Sequence, residues 1–235
     1  MKKTLLLIAA LLFGISAFAE VVTIGEGTEV NRYLPTYVLY KYSITQQIYL
    51  ADEIGTDGKI LSVAFYNNGG QRGRNIDVYM AATPKAAFAE DNDWVNLTAA
   101  DRVFSGQVWF SQHDWTTITL TTPFVYDGTS NLLLAVDDNT GTYESWVEFL
   151  VFSAPSQSLC LYGDDTNYEP VGFNGMGAIL NVKNQIKLDI DDASAVEQVE
   201  VPQVRNGIRY NVMGQPVGKD YKGIVIKDGK KMIVR

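Results

Sequence analysis

Cysteine and histidine are nearly absent from this sequence of 235 residues. Cys160 is the only cysteine, so disulfides cannot brace the chain and its stability must come from core burial. His113 is the only histidine, which excludes zinc sites built from several histidine or cysteine ligands. A Ser/His/Asp triad is not indicated either, since no G-x-S-x-G motif is present. We interpret Cys160, within SLCLYG, as a buried apolar residue and His113, within FSQHDW, as a turn residue.

Positive charge is scarce over most of the chain. Residues 20–204 contain 9 Lys and Arg against 25 Asp and Glu, a net charge of −16. Such an acidic body would repel phosphates, which argues against nucleic acid as a partner. The balance reverses over residues 205–235, where 8 Lys and Arg face 2 Asp and Glu, a net charge of +6. This change of sign predicts two units with different purposes.

Long apolar runs are missing except at the N-terminus. There, Lys2 and Lys3 precede an apolar stretch from Leu5 to Ile15 and the A-x-A sequence of residues 17–19. This pattern predicts a signal peptide over residues 1–19, with cleavage before Glu20. The apolar stretch is too short to span a bilayer of about 30 Å as a helix. We therefore expect an exported protein, secreted or at the cell surface, without a transmembrane segment.

Helical periodicity is also scarce, and strand patterns dominate. In NIDVYM (residues 75–80), Ile76, Val78 and Met80 alternate with Asp77 and Tyr79, as expected for a half-buried strand. Similar segments separated by turn clusters predict an all-β fold, an antiparallel β-sandwich of jelly-roll type, over residues 20–190. The predicted strands are 60–67, 75–83, 102–110, 115–120, 131–136, 148–153, 158–163 and 185–190.

The end of the chain has a different character. Residues 191–205 are polar and predict a linker. Residues 206–235 contain three strand-like segments, and Asp228-Gly229 is typical of a hairpin turn between the last two. This predicts a small C-terminal β-hairpin unit, which has too little core to be stable alone and is better suited to a tag than to catalysis.

Oxygen-rich side chains follow two of the predicted strands. Asp137, Asp138 and Asn139 follow the apolar run of LLLAVDDNTG, and Asp164 and Asp165 follow SLCLYG. Calcium requires six to eight oxygen ligands, so two such loops converging at one end of the sandwich would form a calcium site. The alternative is that these residues only form turns, since aspartate and asparagine hydrogen-bond to their own backbone there.

Aromatic residues are abundant, with 13 tyrosines and 4 tryptophans. Exposed rings can stack on sugar rings, whereas buried rings fill the core of a sandwich. Trp94, Trp109, Trp115 and Trp146 are the tryptophan candidates for sugar stacking. We expect Tyr143 and Trp146, in the loop that follows residue 138, to be the first ligand-binding pair.

Several phrases together resemble the cleaved-adhesin (haemagglutinin) domain family of secreted β-sandwich modules. They are YVLYKYSITQQIYLADEIG, ILSVAFYNN, RNIDVYMAAT, PFVYDGTSNLLLAVDDNTG and NQIKLDI. The resemblance covers roughly residues 33–190. It implies a non-catalytic adhesin-like module that binds carbohydrate, haem or host proteins, with calcium as a structural ion.

The C-terminal segment IRYNVMGQPVGKDYKGIVIKDGKKMIVR is similar to the sorting regions of the type IX secretion route. This similarity implies contact with secretion machinery through the tail and passage across the outer membrane. Whether the tail is then removed stays open, and so does the alternative of a merely structural role, because this version of the tail is compact.

Two alternatives remain open at this stage. A carbohydrate-active hydrolase would need two loop carboxylates, which the doublets at 137–138, 164–165 and 191–192 supply. Adjacent residues of a strand point to opposite faces, so a doublet does not by itself aim two carboxylates at one bond. The other alternative is a structural protein of the cell surface.

Overall fold

The computed structural model describes residues 20–144, 147–191, 209–227 and 230–234. The chain divides into two compact units, Met1–Ala195 and Val196–Arg235, and the boundary falls inside the predicted linker. The predicted signal peptide, linker residues 192–205 and Trp146 lie outside the described residues. Within the described part, no helix has the length and apolarity needed to cross a membrane.

The regular secondary structure of the first unit is almost entirely β-strand, which confirms the all-β prediction. Its described helical content is one short helix, Ala51–Ile54, and one 3-10 turn, Ala99–Asp101. The described strands of this unit are β1 Glu20–Ile24, β2 Val30–Asn31, β3 Tyr42–Tyr49, β4 Gly58–Asn67, β5 Arg72–Thr83, β6 Arg102–Phe110, β7 Asp114–Tyr126, β8 Asn131–Asp138, β9 Phe149–Gly163, β10 Ala178–Asn184 and β11 Ile186–Asp191.

These strands form two layers joined by the long strand β9. The first layer has the order β1-β11-β4-β7, and the start of β9 pairs with β2 and β4 beside it. Strand β9 then continues into the second layer, whose order is β10-β9-β3-β8-β5-β6. Each of these strand pairs is antiparallel, as predicted for a sandwich.

The main core lies between the two layers. Alternate residues of β4 contribute Val63 and Phe65 to it, and β5 contributes Ile76, Val78 and Met80 from the other layer. All five are almost fully buried. The alternation in NIDVYM therefore has the predicted meaning, because Asp77 and Tyr79 point to the opposite face of the second layer.

Part of that opposite face, the outer face of the second layer, is covered as well. Leu133 and Ala135 of β8 point outward and belong to a second apolar cluster with Trp94 and Phe173, which come from the connections that follow β5 and β9. Because β8 is buried on both faces here, its sequence is a continuous apolar run rather than an alternation. Asp137 is the next outward residue of β8, and polar residues surround it.

The end of β8 is fixed on its inner face by a buried ion pair. Arg74 of β5 donates from Nε and Nη2 to Asp138 Oδ2, both at 2.7 Å, and both side chains are 0% exposed. The guanidinium also donates to the backbone oxygens of Thr142 (2.8 Å) and Tyr40 (3.2 Å). Arg74 therefore ties the loop after β8 and the loop before β3 to the end of the strand.

The second unit is a small antiparallel sheet. Its described strands are β12 Arg209–Tyr210, β13 Pro216–Val217, β14 Gly223–Lys227 and β15 Lys230–Val234, in the order β13-β12-β14-β15. Strands β14 and β15 form the predicted C-terminal hairpin, although its turn residues Asp228 and Gly229 lie outside the described residues. Val225 is buried, whereas Met213 and Ile233 are largely exposed, so this unit has the small core that its length predicts.

Candidate functional site

A polar cavity of about 280 Å³ opens on the outer face of the second layer, where the apolar cover ends. Strands β5, β6 and β8 form its floor, and the segments that follow β8 and β9 contribute to its wall. We call it the acid–amide basin after the polar residues that line it, which are Asn75, Asp77, Arg102, Ser105, Asp137, Asn139 and Glu169.

Two aspartates of the basin lie opposite each other on neighbouring strands. Asp77 of β5 pairs in register with Asp137 of β8, and both side chains point outward. Residues paired in this way have Cβ atoms about 5 Å apart, so their charges repel. Arg102 partly offsets this repulsion, because its Nη1 donates to Asp77 Oδ2 at 3.2 Å.

Asp137 is the least satisfied polar residue of the basin. Its side chain is buried, with the residue only 4% exposed, and Oδ2 accepts a hydrogen bond from Asn139 Nδ2 at 2.7 Å. Among the residues that the structure describes, no donor reaches its buried Oδ1. Burial raises the pKa of Asp137 to about 7, the hydrogen bond from Asn139 opposes this rise, and the charges of Asp77, Glu169 and Asp138 add to it.

Asn139 connects the basin to the segment after β9. Its Oδ1 accepts a hydrogen bond from Asn167 Nδ2 at 2.6 Å, and its backbone N–H donates to the Asn75 oxygen at 2.8 Å. The loops that follow β8 and β9 therefore meet through two amide side chains. This contact fixes the wall of the basin near Glu169.

An exposed indole lies beside the basin. Trp109 of β6 is 58% exposed and pairs in register with Gly73 of β5. A Cβ atom at position 73 would approach the indole to 3.1 Å, so glycine allows the ring to lie against the strand. Asn75 follows Gly73 by two residues on the same face, a displacement of about 7 Å along the strand. The ring and the basin therefore lie on the same outer face of the second layer, one after the other along β5.

The predicted calcium ligands occupy different places. Asp137 and Asn139 line the basin, but Asp138 points into the core and pairs with Arg74. Asp164 Oδ1 accepts a hydrogen bond from the Lys41 backbone N–H at 3.1 Å. Asp165 is exposed, and neither Asp164 nor Asp165 lines the basin.

Nowhere in the described residues do three acidic, histidine or cysteine side chains form a group suited to a metal ion. Calcium binding by Asp137, Asp138, Asn139, Asp164 and Asp165 stays a prediction. Their positions divide them between the basin, the core and the part of the loop after β9 that does not line the basin.

The predicted ligand-binding pair lies elsewhere. Tyr143 is 68% exposed in the loop after β8, but it does not line the basin. Trp146 lies outside the described residues. Their role in ligand binding stays a prediction.

Cys160 and His113 have the positions that their sequence context predicts. Cys160 is buried in β9, and burial raises the pKa of its thiol to about 12, so the reactive thiolate is disfavoured. His113 is exposed in the turn between β6 and β7.

Sequence reasoning missed several residues of the basin. Asp77 shows the outward alternation of its strand, but nothing in the sequence indicates that it faces Asp137, 60 positions further along the chain. Glu169 and Arg102 join the basin only through tertiary structure. Trp109 was one of four tryptophan candidates, and the glycine opposite it becomes visible only once the register of β5 and β6 is known.

Comparisons with known proteins do not identify the chain. No family model, curated protein or solved structure matches it. The geometry of the site must therefore support any functional conclusion.

Proposed function

We propose that this chain is an exported, non-catalytic binding module that recognises carbohydrate on the outer face of its second layer. The observation that carries the proposal is that the exposed indole of Trp109 and the acid–amide basin lie next to each other along β5 on the same face. Ligand sites commonly combine a concave shape, an aromatic surface and a few convergent polar groups.

The chemistry of this surface suits a sugar. The C–H groups on one face of a sugar ring can pack on an aromatic ring such as Trp109. Sugar hydroxyls are both donors and acceptors, and the carboxylate and amide groups of Asp77, Asn75 and Asn139 complement them. A hydroxyl donor would also supply the hydrogen bond that Asp137 Oδ1 lacks.

Export and surface display belong to the same proposal. The N-terminal signal pattern and the resemblance to cleaved-adhesin modules support a protein that is secreted or held at the cell surface. In that setting, the ligand is a glycan of a host surface or of a neighbouring cell. The basic second unit resembles type IX sorting tails, so we propose that it contacts the secretion machinery.

A glycan array tests this proposal. The chain should bind a defined set of glycans, and Trp109→Ala should weaken that binding by about tenfold, the effect of losing a stacked ring. Tyr143→Ala is the matched control, because Tyr143 is also an exposed aromatic residue but lies outside the basin. Binding that depends on Tyr143 and not on Trp109 would reject the basin as the site.

A glycoside hydrolase is a second candidate, and one observation favours it. Asp77 and Asp137 face each other across β5 and β8, and the two carboxyl groups of retaining glycosidases are about 5–5.5 Å apart. Burial raises the pKa of Asp137 to about 7, as suits a general acid. Incubating the bound glycan with the protein decides between the candidates: new reducing ends that Asp137→Asn abolishes favour the hydrolase, and an intact glycan favours the binding module.

A further inference from the structure

The acid–amide basin has an excess of negative charge. Among the described residues that line it, Asp77, Asp137 and Glu169 carry carboxylates, and Arg102 carries the single guanidinium. Arg102 is paired with Asp77 at the rim, so its charge is already engaged. The ligand that complements this basin best is therefore one that brings a positive charge.

Within the basin, Asp137 is the carboxylate that most needs a cationic partner. It is more than nine-tenths buried, lines the cavity, and has one carboxylate oxygen without a hydrogen-bond partner among the described residues. Burying a carboxylate without compensation is costly, and a charged donor compensates it better than a neutral one. A neutral sugar hydroxyl would satisfy the hydrogen bond but leave the charge repulsion with Asp77 in place.

We propose that the ligand is an oligosaccharide that carries free primary amines, with the ammonium group of one sugar unit bound at Asp137 and the ring of another unit on Trp109. This inference rests on the carbohydrate-binding function proposed above and narrows it to amino sugars. The ammonium group would donate to Asp137 Oδ1 and lie close to Asp77 and Glu169. The indole then adds apolar contact with the other sugar unit.

The charged and titratable groups around Asp137 come from each neighbouring element of the basin. Asp77 and Tyr79 lie on β5, Arg102 begins β6, Asp138 follows on β8, and Glu169 comes from the segment after β9. In the free protein, burial and the neighbouring carboxylates hold the pKa of Asp137 near 7, so part of the population is protonated at neutral pH. A bound ammonium group favours the ionised carboxylate, so binding at pH 7 should be tighter than binding at pH 5.

Calorimetric titration with two matched oligosaccharides tests the inference. The probes are the tetramer of glucosamine and the tetramer of N-acetylglucosamine, which differ in the free amine. We expect the glucosamine tetramer to bind at least about tenfold more tightly, the value of one charge-assisted hydrogen bond. Asp137→Asn should abolish the preference for the glucosamine tetramer, and Trp109→Ala should weaken the binding of both tetramers.

Two controls keep the test decisive. Glu169→Gln removes an exposed carboxylate of the same basin, so it should reduce the preference without affecting folding even if Asp137→Asn proves unstable. Tetralysine supplies four amines without a sugar ring. If tetralysine binds as tightly as the glucosamine tetramer and independently of Trp109, the attraction is only that of an acidic surface for a polycation, and the inference is overturned.

The possible failures differ from one another. Equal binding of the two tetramers, with both weakened by Trp109→Ala, overturns the amino-sugar inference but leaves the carbohydrate-binding function intact. Absence of Trp109-dependent binding to both tetramers and to every glycan on the array overturns the proposed function itself.

Discussion

At the scale of single residues, Asp137 and Asp138 are neighbours in sequence but have different structural roles. The strand turns Asp138 into the core, where Arg74 neutralises it, and turns Asp137 outward into a basin that lacks a matching cation. A sequence doublet therefore becomes one structural residue and one candidate ligand-binding residue. The period of two along a strand is sufficient to predict this separation, but it does not tell which aspartate points outward.

The buried ion pair predicts a large effect on stability. Arg74→Met leaves the Asp138 carboxylate uncompensated in the core, so the free energy of unfolding should fall by about 3–5 kcal/mol. Arg102→Met is the matched control, because Arg102 and Asp77 form an ion pair in which the arginine is half exposed, so its loss should lower stability far less than Arg74→Met does. Urea denaturation of the two variants measures both values, and equal losses would contradict the assignment.

Asp137 predicts a pH dependence of a definite sign. Its folded pKa of about 7 lies above the ordinary aspartate value, so its contribution to stability is full at low pH and is lost as pH rises through 7. Asp137→Asn removes this pH-dependent loss. The free energy of unfolding of the variant, measured in urea and compared with that of the wild type, should therefore rise by about 1–4 kcal/mol between pH 4 and pH 8. A difference that stays constant across this range would show that the Asp137 pKa is not raised.

At the scale of elements, the pairing of β5 with β6 sets the aromatic part of the site. Gly73→Ala places a methyl group against the Trp109 indole, so the ring must move away from the strand. We expect glycan binding to weaken severalfold while the melting temperature changes little, because the ring is largely exposed. Gly218→Ala is the control, since a Cβ atom there meets nothing within 4 Å. Unchanged binding by Gly73→Ala would separate Trp109 from the site.

Strands that alternate could be predicted from sequence, and strands held by tertiary contacts could not. Strand β3 was not among the predicted strands because Gln46 and Gln47 interrupt its apolar pattern. Both are buried all the same: Gln46 donates to the Val95 oxygen at 2.9 Å, and Gln47 donates to Asn184 Oδ1 at 2.9 Å. These partners come from distant segments of the chain, so no local sequence pattern predicts these hydrogen bonds.

Strand β9 was predicted as two strands and is one. Pro155 and the positive φ of Ser156 interrupt the pattern between the two predicted segments. The pairing with β10 shifts register there, and Asn181 Oδ1 accepts a hydrogen bond from the Ser156 N–H at 3.1 Å. The strand therefore continues through a β-bulge at this position. The bulge depends on pairing with β10, and the sequence alone does not identify that partner.

At the scale of the whole molecule, the change in charge along the chain coincides with a structural division. The acidic part corresponds to the two-layer unit, and the basic part to the small four-stranded sheet. The candidate site is formed entirely by residues of the first unit. The proposed binding function should therefore not require the second unit.

A shortened chain tests this separation. Protein comprising residues 20–195 should retain cooperative unfolding and glycan affinity within about twofold, because the described core and basin lie within it. The sorting proposal makes a parallel prediction in the native host: the exported protein, measured by mass spectrometry, should lack the segment after about residue 204. A full-length protein retained in the periplasm would contradict the sorting role.

The most direct test of the central claim is nuclear magnetic resonance mapping of the bound glycan on the folded protein. Amide shifts during titration with the glucosamine tetramer should concentrate at Gly73, Asn75, Gly106 and Asn139, around the acid–amide basin and Trp109. Shifts confined to the loop of Tyr143, or to the outer face of the first layer around Lys187, would contradict the claim that this basin is the ligand-binding site.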